Sequence, residues 1–369
     1  MSGFLSDLRE ELLDGLERYE HAPPWQRRLA ARRRLRIGLV ARRLAVAAAV
    51  AAAVIGVIVQ IADRAPEREQ GTARQVSRLE GFHATSLAVA DGSLWVTQYD
   101  IARLLRIDLK TGKVVARVDV HGSPGGVISA AGAVWVHDWE RGRLLKVDPH
   151  TNQIVKTVKV GTNNSDLAFA AGAVWTIDEQ AQLVRVDPGT ATLTGRQSLG
   201  AAATHPSDPP RGSTLAAGGN TLWVVAGNGN IAEFDARTAH LLGHARGPVL
   251  PVETSRRAVA DDSGLWLSSP SGREIIHIDA RTRRVTRLPV KGDPGPLALV
   301  NGRIWVGTVH DTGAVTRLTV LRTDGHVDAT IPLPNHPAVN LVPSPAGGAW
   351  VTFGTDDTVS PAALLIANP

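Results

Sequence analysis

Between residues 127 and 160, apolar and polar positions alternate in four short runs, 127–130, 133–137, 143–148 and 153–160. Ala131-Gly132, the segment 138–142 and Pro149-His150-Thr151-Asn152 separate them. Period-two runs of this length, bounded by Gly, Pro, Asn and Asp, predict a four-stranded antiparallel meander.

The unit recurs, and a tryptophan marks each copy. Trp95, Trp135, Trp175, Trp223, Trp266, Trp305 and Trp350 each follow a turn and an apolar residue, at spacings of 40, 40, 48, 43, 39 and 45 residues. A period near 40 with four strands per unit predicts the blades of a β-propeller, here seven. Burying one Trp removes about 150–250 Å² from water, at most about 4–6 kcal/mol. That magnitude assigns the repeated Trp to the core rather than to a ligand.

A second marker fixes the register. Asp108-Leu109-Lys110-Thr111, Asp148-Pro149-His150-Thr151, Asp187-Pro188-Gly189-Thr190, Asp235-Ala236-Arg237-Thr238 and Asp279-Ala280-Arg281-Thr282 follow the third run of five repeats. An Asp whose carboxylate accepts backbone N–H bonds two or three residues on suits the hairpin between third and fourth strands. The sixth repeat carries Thr323-Asp324-Gly325 instead.

The segment preceding the repeats reads differently. In residues 1–43, Leu5, Leu8, Leu12 and Leu16 share one face of a short amphipathic helix that ends at Pro23-Pro24. An arginine cluster from Arg27 to Arg43 follows, and then the apolar run 44–62, whose one strongly polar side chain is Gln60. At about 1.5 Å per residue this run predicts one transmembrane helix. The arginines place its start in the cytoplasm and the repeats outside. Residues 63–73 form a polar stalk and 74–369 the propeller.

The two ends of the propeller complement each other. Residues 74–80 resemble a fourth strand, whereas the last repeat stops after its third, near 362–368. The expected fold is thus all-β: seven four-stranded antiparallel blades, with the ring closed by an N-terminal strand pairing with 362–367, preceded by one transmembrane α-helix. Closure of this kind removes an open sheet edge.

Charge and composition then narrow the function. The net charge is +5, but residues 1–64 hold 11 of the 40 Lys and Arg and 7 of the 35 Asp and Glu, leaving 29 against 28 in the ring. A neutral ring gives nucleic acid no electrostatic footprint. The absence of Cys removes disulfides and thiolate chemistry.

The repeated pattern "GAVWV…L.KVDP.T..IV..V.VG" resembles seven-bladed propellers of the YVTN and NHL-like group, including the streptogramin (virginiamycin B) lyase-like proteins, over about residues 74–369. The lyase-like members build a His–Glu–metal centre on Trp-Phe-Thr-Glu strings. Here the Trp is followed by Val96-Thr97-Gln98, Val136-His137-Asp138, Thr176-Ile177-Asp178 and similar strings, none with that Glu. No catalytic residues, metal or cofactor are therefore expected. The expected function is a membrane-anchored, extracytoplasmic, non-catalytic module that binds an unidentified ligand or protein; the alternative is a divalent-metal-dependent lyase or hydrolase.

Binding is expected on the face that carries the connections between second and third strands and between blades. Its candidates are His83, Tyr99, His121, Asp138, Trp139, Asn164, Asp166, Asp178 and His336. The acids, with His121, form a candidate site for a cation or a polar ligand. Trp139 lies outside the repeat position, where a loop aromatic suits contact with a partner.

Overall fold

The computed structural model describes residues 75–79, 84–162, 166–200, 213–226, 229–247, 258–309, 316–333, 338–345, 347–353 and 363–366. The amphipathic helix, the apolar run 44–62 and the stalk lie outside the described residues. Among the described residues, 28 strands form seven four-stranded antiparallel sheets. The fold is an all-β, seven-bladed propeller.

The second blade shows how sequence sets the strands. Its strands are Pro124–Ala130, Ala133–Asp138, Arg143–Asp148 and Gln153–Lys159, paired in that order. The innermost strand begins three residues earlier than its apolar alternation, and its pairing is irregular between Pro124 and Val127. Pro is tolerated there because an innermost strand has one unpaired edge. Blade six repeats the irregularity between Pro294 and Leu297.

The ring closes as the two ends of the repeat region require. Gln75–Leu79 pairs antiparallel with Ala363–Ile366, Leu79 opposite Ala363 and Gln75 opposite Ile366. It is thus the outermost strand of blade seven, beside Ala349–Phe353 and Ala338–Pro343. A segment nearly 300 residues away in sequence completes the sheet.

The core sits between blades, not within them. Seven apolar clusters of described residues each join two neighbouring blades, and each contains one of the repeated Trp residues. Trp135 packs toward Val174, Val184 and Val186 of blade three; Trp350 packs toward Leu87, Leu94 and Ile107 of blade one. Every one of the seven is at most 1% exposed.

The third strand supplies the lid over each Trp. Arg106 lies opposite Trp95 in the ladder, Lys146 opposite Trp135, and Arg185 opposite Trp175. Their cationic groups stand 5.3, 5.7 and 5.8 Å from the indole centroids, cation–π range. Two of these cations also reach the next blade's Asp turn. Arg106 donates to Pro149 O and, at 3.1 Å, to Asn152 Oδ1; Lys146 donates to Pro188 O at 2.7 Å.

Blade four reverses the charge and keeps the contact. Glu233 takes the place opposite Trp223, and Arg283, from the turn of blade five, covers that Trp at 5.7 Å and pairs with Glu233. In blade five, His277 stacks on Trp266 with centroids 3.9 Å apart. Burial holds the His277 pKa below the usual 6.5, against the pull of Asp261 and Asp279. A neutral ring suits that stack.

Candidate functional site

The meander gives the ring two faces. One carries the hairpins between first and second strands together with the Asp turns; the other carries the second-to-third connections and the links between blades. On the turn face the carboxylates are consumed locally. Asp108 Oδ1 accepts from Lys110 N, Thr111 N and Thr111 Oγ1 at 3.1, 2.7 and 2.8 Å. Asp148, Asp187, Asp235 and Asp279 accept in the same way from residues two or three positions on. In blade six, Asp324 accepts from His326 N at 2.9 Å.

These bonds favour the ionised form. The Thr111 side chain and backbone lower the pKa of Asp108, and the His150 N–H lowers that of Asp148. The Thr190, Thr238 and Thr282 N–H groups do the same for Asp187, Asp235 and Asp279. The acidic turns therefore bind their own backbone.

The opposite face carries an aromatic pair. Tyr99 and Trp139 each stand four residues after a core Trp, in blades one and two, and their rings stack with centroids 6.0 Å apart and planes 14° from parallel. Tyr99 N donates to Thr85 Oγ1 at 3.2 Å and Trp139 N to Ser123 O at 3.3 Å, so both backbones are tied to neighbouring links. Tyr99 is 41% and Ile101 52% exposed. Asp100, Glu140 and Arg141 adjoin the pair in sequence and are exposed, whereas Trp139 is half-buried. Sequence reasoning named both aromatics without pairing them, although their shared repeat position was the available signal.

His121 lies in the adjacent link between blades. Its Nδ1 approaches Asp119 Oδ1 at 3.2 Å, its own N–H bonds the same oxygen, and its φ is +50°. It faces solvent beside the aromatic pair's blades.

Asp138 and Asp178 correct the expectation that they are loop-tip acids. Asp138 ends a strand, Asp178 directly follows one, and both are fully buried. Asp138 accepts from Ser123 N at 3.0 Å and from Arg143, Nε at 2.9 Å; Asp178 accepts from Gln180 N, Gln182 N and Arg196. Two glycines make room. A Cβ on Gly122 would stand 2.2 Å from Asp138 Oδ2, and one on Gly161, at φ +105°, would stand 2.7 Å from Asp178 Cβ. Each carboxylate is locked into its own blade by an arginine, so the two do not converge on a shared ligand.

Asp166 stands elsewhere, on the lining of the axial cavity. His83, Asn164 and His336 lie outside the described residues, as does most of the two long links near 200–211 and 247–257. Among the described residues, no three His, Asp or Glu side chains are grouped to hold a metal ion. The structure thus brings Tyr99, His121, Asp138 and Trp139 to one junction and separates Asp166 and Asp178 from them.

Comparison with known proteins supports the architecture. Residues 116–243 match a family described as a repeat of unknown function (DUF6923). No curated protein sequence matches the chain. Among solved structures, Kuenenia stuttgartiensis hydrazine synthase superposes with a TM-score of 0.60 at 16% identity, covering 81% of this chain and 98% of that one. BamB from Moraxella catarrhalis gives 0.54 at 14% identity, over 77% of this chain and 84% of that one. The computationally designed Ika8 protein gives 0.56 at 16% identity, over 79% and 99%. What they share with this chain is the propeller itself.

Proposed function

We propose that this chain is a membrane-anchored, extracytoplasmic propeller of the YVTN/NHL-like kind that binds a protein partner through its loop face and performs no chemistry of its own. The observation that carries the reading is the stacked Tyr99–Trp139 pair, in which Tyr99 is exposed and Trp139 half-buried. Rigid aromatics beside an exposed Ile101, within a rim of Asp100, Glu140 and Arg141, match the make-up of a protein interface: an apolar anchor inside a polar border. The propeller fold is compatible with a binding or scaffold module.

The anchor rests on sequence. The apolar run 44–62 follows the arginine cluster, and the mixed flank Asp63, Arg64, Glu67, Arg68 and Glu69 lies beyond it. The full-length chain is expected to resist carbonate extraction from membranes, and its propeller to be cut by protease added outside intact spheroplasts. Release by carbonate, or protection from outside protease, contradicts the anchor and its orientation. For the loop face, Tyr99→Ala/Trp139→Ala should leave the chain folded with a cooperative melt, because neither ring belongs to an interblade core cluster. The same variant should abolish co-purification of the wild-type chain's partner from membranes; retained co-purification contradicts the reading.

A further inference from the structure

Most of the large apolar side chains left exposed among the described residues gather at one level of the ring. Val115, Val155, Leu193, Leu242, Val285 and Val327, 37 to 55% exposed, come one from each of blades one to six. Each is among the first three residues of its blade's outermost strand, where the chain leaves the turn after the third strand. They form a belt at the turn-face rim.

Three of them are put there by a recurrent irregularity. The outermost strand is bulged where Arg106 and Ile107 face Ala116 and Val114, where Lys146 and Val147 face Lys156 and Ile154, and where Glu233 and Phe234 face Gly243 and Leu241. The extra residue is Val115, Val155 or Leu242. A bulge re-aims its side chain and blunts a free sheet edge, yet a charged residue serves that purpose without exposing apolar surface. An aliphatic residue there in three blades suits a surface that covers it.

The arrangement specifies the shape and chemistry of that surface. Equivalent positions in six blades lie at one height around the axis, so a flat surface meets them together, whereas a globular protein covers two or three. Exposed Lys113, Lys156 and Arg284 stand within two positions of Val115, Val155 and Val285. Such side chains lay their stems along apolar surface while the charged end reaches a phosphate. The chain also enters the ring on this side, because Gln75 lies opposite Ile366, at the turn-face end of blade seven. Residues 63–74, between the apolar run 44–62 and that strand, reach about 40 Å when fully extended.

We propose that the turn-face rim rests on the phospholipid surface of the membrane, with the aliphatic belt at the interface, Lys113, Lys156 and Arg284 on lipid phosphates, and the loop face turned away. The proposal rests on the anchor described under the proposed function and adds which face of the ring meets the bilayer.

The chain has no Cys, so a single introduced one can carry a fluorophore. Full-length Val155→Cys, Val285→Cys and Arg141→Cys, the last on the loop face, are labelled and reconstituted into phosphatidylcholine liposomes containing a lipid whose head group bears a spin label, a short-range quencher. A rim at head-group level should be quenched at least about threefold more strongly than position 141. Val115→Asp/Leu242→Asp, added to the Val285→Cys chain, should remove most of that difference while the chain stays in the liposomes. Equal quenching at all three positions, stronger quenching at 141, or rim quenching unchanged by the two Asp substitutions overturns the proposal. If one rim variant does not fold, the other decides by the same comparison. Release of the chain by carbonate overturns the anchor and the proposal together; a retained chain whose rim is not quenched overturns the proposal alone.

Discussion

The two faces of this ring are built from the same repeat and spend their polar residues differently. On the turn face, each Asp closes its own hairpin, and the carbonyls of blades two and three also receive Arg106 and Lys146 from the preceding blade. On the loop face, the first two blades begin their second-to-third connections with aromatic residues that stack on each other, an exposed Tyr99 on a half-buried Trp139, while blade three has Glu179 at that position. Regularity on one side marks a surface committed to holding blades together. Departure from the repeat on the other marks a surface left available.

Three perturbations break or sharpen this contrast. The largest tests the ring that both faces share. Deleting residues 75–79 removes the outermost strand of blade seven and unpairs Ala363–Ile366, so the melting temperature should fall by roughly 10 °C or more, about 3–5 kcal/mol for a domain of this size. A fall of under about 2 °C would mean that the strand is dispensable.

Next comes the buried acid beneath the loop face. Arg143→Met leaves Asp138 fully buried without its guanidinium partner, and urea melts should show a loss of about 3–5 kcal/mol. Adding Asp138→Leu should return most of it. A single variant that is neutral would show Asp138 to be solvated after all.

Smaller still is the turn face. Asp148→Ala should lower the urea midpoint by less than either change above, because the N–H of His150 loses its acceptor in a turn that Arg106 grips. The same carboxylates set the acid response. Their folded pKa values lie below the usual 3.8. Their stabilisation is therefore complete above that value and is lost as the pH falls through it toward the folded pKa. Urea midpoints should hold near neutrality and drop below about pH 4, and Asp148→Asn should drop less steeply than the wild type.

Much of this was legible in the sequence because the deciding interactions are local. An Asp turn closes within three residues, and a Trp two residues beyond a Gly-containing hairpin announces a buried second strand, so blade number and strand register followed from spacing. Even the closing strand was legible, because residues 74–80 looked like a fourth strand with no third before it. What escaped were contacts made at a distance. Asp138 and Asp178 read as loop acids because their burial depends on Arg143 and Arg196, and on the close approach of Gly122 and Gly161 from neighbouring links. The exchange in which Arg283 of blade five replaces a cation missing from blade four needs the geometry of two blades at once. The axial cavity belongs to seven strands and to no single repeat.

The most direct measurement places a photo-crosslinking residue, in living cells, either at Trp139 on the loop face or at Arg237, an exposed position in a turn of the opposite face. Crosslinking from position 139 should give one discrete protein adduct, and crosslinking from position 237 none. An adduct from 237 alone, or the same adduct from both positions, would contradict the assignment of binding to the loop face.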